Sequence, residues 1–131
     1  MTTRLLFDTC FLIDLEREMK RGPGAAHRFL IDHQDSRPCL TWTIAGEFAE
    51  GFGDIHHPAC AAMLDRFEIL ETDRETAQRY AVTTRFLRQR NELIGTNDLW
   101  IAAAALAHNL PLVTRNASHF QRIPHLAVMT Y

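Results

Sequence analysis

Asp8 and Asp98 are the side chains whose type and placement point most directly to chemistry. Asp8 closes the apolar run Leu5-Leu6-Phe7, and Asp98, ninety positions later, opens a long apolar helical stretch. Alternating strand and helix patterns fill the interval. Such alternation can return distant acids to the carboxyl edge of one parallel sheet, where open α/β folds hold their ligands. Two carboxylates brought together repel unless a cation, a shared proton or a basic partner lies between them. A metal site is therefore expected, with Asp8 and Asp98 as ligands. Two more polar positions recur at element ends: Glu47, one turn into a helix after the second strand, and Asn116, just past Leu112-Val113-Thr114. Each has an ordinary alternative. Asp8 could be a helix N-cap, Asp98 a first-turn acid facing the helix dipole, Asn116 a turn residue and Glu47 a surface acid. Ile44, Phe48 and Gly51 place Glu47 beside a packed face, where an unpaired acid is costly.

The elements that must position these residues read as follows. Arg4 to Phe7 is a short buried strand, and a helix from Thr9 to about Met19 is broken by Arg21-Gly22-Pro23-Gly24. A second helix spans roughly Ala25 to His33, and a second strand Arg37 to Trp42. Thr43 is expected to cap a helix over Ile44 to Phe52, with another from Pro58 to about Arg66. A third strand, Phe67 to Leu70, precedes a helix from Arg74 to about Glu92. Gly95-Thr96-Asn97 then breaks the chain and caps the helix Asp98 to His108. That helix is apolar nearly all round, which predicts a central, buried position. Strands at Pro111 to Thr114 and Ala127 to Thr130, with irregular structure between them, end the chain. The alternation predicts an α/β fold: one domain over residues 1–131, with a parallel sheet of four or five strands and helices on both faces.

Composition narrows the function classes. At 131 residues the chain suits one domain with a real core. No apolar run is long enough to span a bilayer, and Met1-Thr2-Thr3-Arg4 does not open a signal peptide. A cytoplasmic protein without membrane partners is expected. Cys10, Cys39 and Cys60 are widely spaced and form no CxxC pair, which argues for three free, buried thiols. Neither His56-His57 nor His119/His125 has zincin spacing, so structural or surface roles are expected for most of the seven histidines. The formal charge of −2 offers no global attraction to nucleic acid. Locally, Arg79, Arg85, Arg88 and Arg90 fall in a stretch without acids, either a solvated helix face or a rim that steers phosphates.

The strings Leu6-Phe7-Asp8-Thr9-Cys10-Phe11-Leu12-Ile13-Asp14, Gly46-Glu47-Phe48-Ala49-Glu50-Gly51, Asn97-Asp98-Leu99-Trp100-Ile101-Ala102-Ala103 and Leu112-Val113-Thr114-Arg115-Asn116-Ala117-Ser118-His119-Phe120 resemble, in order, the successive motifs of PIN-domain ribonucleases. More narrowly, they resemble VapC toxins of bacterial type II toxin–antitoxin pairs. The resemblance spans nearly the whole chain. It implies an endoribonuclease dependent on Mg2+ or Mn2+, with Asp8, Glu47 and Asp98 as the acidic triad and Asn116 where a fourth acid often stands. Thr9 and Thr114 match small hydroxyl positions near the cluster. His119 stands where an acid is frequent and is given no role. The resemblance also implies an RNA substrate, tRNA being a frequent target of such toxins. Its implied partners are a cognate antitoxin that covers the site with a basic side chain, and a second copy in a homodimer.

Phosphodiester hydrolysis suits this donor set, because hard divalent cations prefer oxygen ligands and neutralise charge on the phosphoryl group. Asp8 and Asp98 are expected to hold the metal, Glu47 to reach in through water or orient the attacking nucleophile, and Asn116 to bond a metal water or the phosphate. Three other classes place an acid after the first strand. A small phosphohydrolase with Asp8 as nucleophile lacks its second Asp, since position 10 is Cys. A receiver domain lacks a phosphoacceptor after a middle strand. A non-catalytic PIN-like binding module stays open if the cluster is incomplete.

Overall fold

Leu5, Leu6 and Phe7 are all buried although successive side chains of a strand point to opposite faces, so both faces of β1 (Arg4–Phe7) are covered. The same holds for the consecutive buried pairs Cys39-Leu40 in β2 (Arg37–Thr41) and Leu112-Val113 in β4 (Leu112–Val113). With β3 (Glu68–Leu70) and β5 (Val128–Met129) these strands form one five-stranded, all-parallel sheet in the order β3-β2-β1-β4-β5. The α/β expectation holds. This computed structural model describes residues 3–131; Met1 and Thr2, which open the stretch read as lacking a leader, lie outside the described residues. Among the described residues, no helix is long and apolar enough to cross a membrane.

Helices fill each crossover. Helices α1 (Thr9–Arg21) and α2 (Ala25–Asp32) join β1 to β2, while α3 (Trp42–Glu50) and α4 (Pro58–Leu64) join β2 to β3. The chain then returns past β2 and β1 through α5 (Arg74–Gln89) and α6 (Thr96–His108) to lay down β4, and α7 (Ala117–Phe120) leads to β5. Right-handed crossovers taken in opposite directions along a sheet set helices on its two faces. The reversal falls between β1 and β4. That gap is the topological switch point, where the crevice of an open parallel sheet forms. Beneath it, Phe7 packs against Phe11, Phe29 and Phe67 at ring-centroid distances of 4.4, 5.8 and 6.0 Å.

Three sequence expectations need correction. Thr41, not Thr43, caps α3: its hydroxyl accepts the Ile44 N–H at 3.2 Å, so β2 passes into the helix with no loop. Trp42 therefore belongs to the helix rather than the strand and is 57% exposed. Helix α6 begins at Thr96 behind Gly95, without a side-chain cap. Between β4 and β5 lies α7, four residues long and anchored by the buried Phe120, too short for any periodicity to reveal.

At the opposite sheet edge Glu68 pairs with Arg4 at 2.8 Å and Arg37 at 3.2 Å, tying three adjacent strands. The hydrogen bond from Arg4 holds its carboxyl below the ordinary value. A depressed carboxyl contributes stability above its unfolded value and loses it as pH falls through the folded one. Glu68→Gln is expected to cost about 0.5 kcal/mol at neutral pH, given its exposure. Urea unfolding of the two proteins should converge as pH is lowered into the acid range. A difference that persists there would mean the pairs contribute packing rather than charge.

Candidate active site

Asp8 follows β1 directly and caps α1 by accepting the Thr9 N–H at 2.8 Å. It is therefore a helix cap, as the ordinary alternative has it, and also a cleft residue at the switch point. Only 4% of it is exposed. Thr114, wholly buried just past β4, donates its hydroxyl to Asp8 Oδ2 at 2.7 Å across that same gap. Its oxygen in turn accepts the Asn116 N–H at 3.0 Å. One hydroxyl thus joins the first and last motifs.

Glu47 projects from α3, half-buried, and is fixed from two sides. The Thr9 hydroxyl donates to Oε1 at 2.7 Å, and Asn97 Nδ2 donates to Oε2 at 3.3 Å. Asn97 is free to do so because the α6 N-terminus is capped by Gly95 rather than by a side chain. The same start puts Asp98 in the first turn of α6, where both the dipole and the cleft receive it. Helix α6 precedes β4, so Asp98 stands at no strand's carboxyl end. It reaches the cleft because α6 packs its beginning against α3.

Electrostatics show that the three acids share one environment. Burial pushes the Asp8 carboxyl above its ordinary value, more than the hydrogen bonds from Thr114 and Thr9 pull it down, and the Glu47 charge adds to the rise. Burial likewise raises Asp98, helped by repulsion from Asp8 and Glu47. Mutually repelling, partly dehydrated carboxylates with only oxygen donors fit a hard divalent cation, which would relieve both penalties. Among the described residues no group of three His, Cys, Asp or Glu side chains is placed to hold a metal ion by itself. That suits an ion held by one or two carboxylates, with water and substrate phosphate completing its shell.

Asn116 stands beside this group without joining it by side chain. It precedes α7, is exposed, and makes no capping bond. Sequence reasoning passed over four residues here. Asn97 holds Glu47. His119 Nδ1 faces Asp98 Oδ2 at 3.8 Å. Cys10, half-exposed rather than buried as expected, sets its thiol 3.8 Å from Asp8 Oδ2. Asp14, only 8% exposed, receives Arg115 at 2.7 Å and the Tyr131 hydroxyl at 2.7 Å. All four lie within the quoted motif strings, which is the available signal. Of the arginine stretch, Arg79 pairs with Glu75 and Arg90 with Glu92, acids lying just outside the window. Arg85 and Arg88 make no ion pair among the described residues. His57, consistent with a structural role, caps α4 through Nδ1.

The family model described as PIN domain matches residues 5–126. The chain belongs to the PIN domain family. This PIN domain is 28% identical over 132 residues to "Ribonuclease VapC1" of Methanocaldococcus jannaschii, covering 98% of this chain and 88% of that one. A shorter match to "Ribonuclease VapC2" of Rickettsia felis is 41% identical over 63 residues and spans about half of each protein, 48% of this chain and 47% of the other. Among solved structures, VapBC-1 from nontypeable Haemophilus influenzae superposes with a TM-score of 0.81 at 25% identity, over 98% of both chains.

Removing the hydroxyl that links Asp8 to the last motif isolates its contribution. Thr114→Val in this PIN domain leaves a buried carboxylate oxygen with only the Cys10 thiol and the Asn116 N–H without its acceptor, so a loss of about 1–3 kcal/mol is expected in chemical denaturation. Thr114→Ser keeps both bonds and should lose much less. Equal losses would assign the effect to the missing methyl instead.

Proposed function

We propose that this PIN domain is a metal-dependent endoribonuclease, the toxin of a type II toxin–antitoxin pair, acting in the cytoplasm with Mg2+ or Mn2+. One observation carries the reading. The Glu47 charge helps raise the Asp8 carboxyl, and the charges of Asp8 and Glu47 help raise that of Asp98, so acids drawn from three separate elements meet at the switch point, although no common helix or strand brings them there. The ribonuclease names of the relatives and the toxin–antitoxin solved structure support the RNA substrate and an antitoxin partner.

Asp8 and Asp98 are the residues that would hold the cation, both short and fixed at element ends. Bound there, the ion would supply charge neutralisation at the phosphoryl oxygens and acidify water. Glu47, clamped by Thr9 and Asn97, orients the attacking water and takes its proton. The water oxygen adds to phosphorus, the bond to the leaving ribose oxygen breaks, and that oxygen takes up a proton from solvent. No covalent enzyme intermediate forms. The Asn116 amide, exposed at the rim, hydrogen-bonds the phosphate. Thr9 and Thr114 act through the acids they bond. A homodimer, and a basic antitoxin side chain pairing with the acids in place of the cation, complete the proposal.

Total cellular RNA incubated with purified protein tests it, in Mg2+ or Mn2+ and in EDTA. Discrete fragments, tRNA pieces among them, that vanish with EDTA are expected. Release of phosphate from small esters without RNA cleavage would favour a phosphohydrolase, and neither activity a binding module.

A further inference from the structure

We infer that the groove between α3 and α6 holds a hydroxyl-lined subsite for one unpaired nucleobase, the base next to the bond being cut. The inference rests on the ribonuclease reading above and deepens it. Thr43 stands four residues before Glu47 on α3, and Trp100 three residues after Asn97 on α6, so each pair shares one helix face. Glu47 and Asn97 are bonded across the groove at 3.3 Å, which sets Thr43 and Trp100 beside each other one turn further along it. There a recess of about 230 Å3 opens, walled by Thr41, Thr43, Thr72, Thr76, Trp100 and Ala104. One helical turn is about 5.4 Å. A base reaching that far from a phosphate held beside Glu47 enters the recess.

The lining selects the class of ligand. Among the described residues it carries no charged side chain, which argues against phosphate as the occupant. Four threonines and an indole suit a flat, neutral ring with polar edges, as a nucleobase is. Thr41 and Thr76 are buried, and each has one side of its hydroxyl engaged. The Thr41 hydroxyl accepts the Ile44 N–H at 3.2 Å and keeps its own proton to give. The Thr76 hydroxyl donates to Asp73 at 3.0 Å and keeps its lone pairs. A donor and an acceptor are thus held in place before any base arrives. Thr43 and Thr72, nearer solvent, line the mouth. Trp100 is stacked on Tyr80 at 4.0 Å with planes 16° apart, so its ring is already fixed. Ala104 leaves space that a larger side chain would fill. A base stacked in a duplex cannot turn into such a recess, so the subsite admits unpaired RNA.

Trp42→Phe leaves Trp100 as the one tryptophan of the chain and so a reporter. In EDTA, the four ribonucleoside 5′-monophosphates, tested one by one, should quench its fluorescence saturably and unequally. Ribose 5-phosphate should not. In the same background Thr43→Val and Thr72→Val, each removing one hydroxyl, should weaken the best nucleotide by about three- to tenfold. With Mg2+ or Mn2+ both variants should still cut RNA but relax the base preference beside the cut. Thr72 is exposed in the loop after β3, so its variant should match wild type in circular dichroism. Equal quenching by ribose 5-phosphate would assign the contact to the sugar phosphate and overturn the inference. No quenching by any nucleotide, or quenching untouched by both variants, would also overturn it. Asp98-dependent RNA cleavage in that protein would leave the ribonuclease reading standing. Threonine-dependent quenching by a protein that cuts no RNA would keep the base pocket and bring down the ribonuclease reading instead.

Discussion

Asp98→Asn is expected to leave cellular RNA uncut while the protein folds as well as before. An amide ligates a hard cation more weakly than a carboxylate and adds no charge against the phosphoryl oxygens, so a loss of roughly a thousandfold or more in cleavage rate is anticipated. Asp8→Asn should behave alike, since Asn also caps helices and can still accept from Thr114. The fold should not suffer, and the sign follows from linkage. Both carboxyls are raised above their ordinary value, first by burial and then by repulsion within the cluster. For an acid whose folded pKa lies above its unfolded one, the penalty is absent below the unfolded value and complete above the folded one. Stability of the metal-free wild type should therefore decline as pH rises from the ordinary carboxylate range, and the decline should be shallower in Asp98→Asn. Divalent metal should raise the thermal midpoint of wild type and not that of the variant. Cleavage by Asp98→Asn at the wild-type rate would remove Asp98 from the site.

Strand–helix alternation was readable because each strand is a short, fully apolar run bounded by helix starters. Leu5-Leu6-Phe7 before Asp8 and the alanine-rich stretch after Asp98 both land where periodicity puts them. The acids were legible for the same reason, standing where apolar runs end. What escaped was set by tertiary contact. Thr41 and Thr43 are equivalent as cap residues in sequence, and only the length to which β3 pairs with β2 ends the strand at 41. Helix α6 starts two residues earlier than expected, behind Gly95, which leaves Asn97 free to meet Glu47, a partner fifty positions away. Helix α7 has a single buried anchor and so no period. The arginine stretch looked unopposed because its acids lie outside it, on the same helix for Arg79 and just beyond it for Arg90. Local pattern thus located the catalytic candidates, while the groups that hold them came only from packing.

Asp14→Ala is expected to be the most destabilising single change at the periphery of this site. The carboxylate is nearly buried, yet it accepts from Arg115 on the β4–α7 turn, Arg17 on its own helix and Tyr131 beyond β5. Hydrogen bonds to a charged group contribute about 1.5–3 kcal/mol each when desolvated. Arg115 and Arg17 are more than half exposed and regain water on losing their partner, so their share is small. Tyr131 is the costly partner: burial, then the bond to Asp14, pushes its phenol above its ordinary value, so it stays a donor. Its hydroxyl would keep only the weaker Cys10 thiol as a protein acceptor. A total of about 2–3 kcal/mol is expected in urea unfolding, with Tyr131→Phe costing about 1 kcal/mol. Because the two residues share one interaction, the double variant should lose little more than Asp14→Ala alone. Cleavage should also fall, since Arg115 carries the turn between Thr114 and Asn116, and loosening it frees both from Asp8. Full additivity of the two substitutions would show instead that Tyr131 stabilises through its ring against Phe11, at 4.9 Å, and that Asp14 is not its anchor.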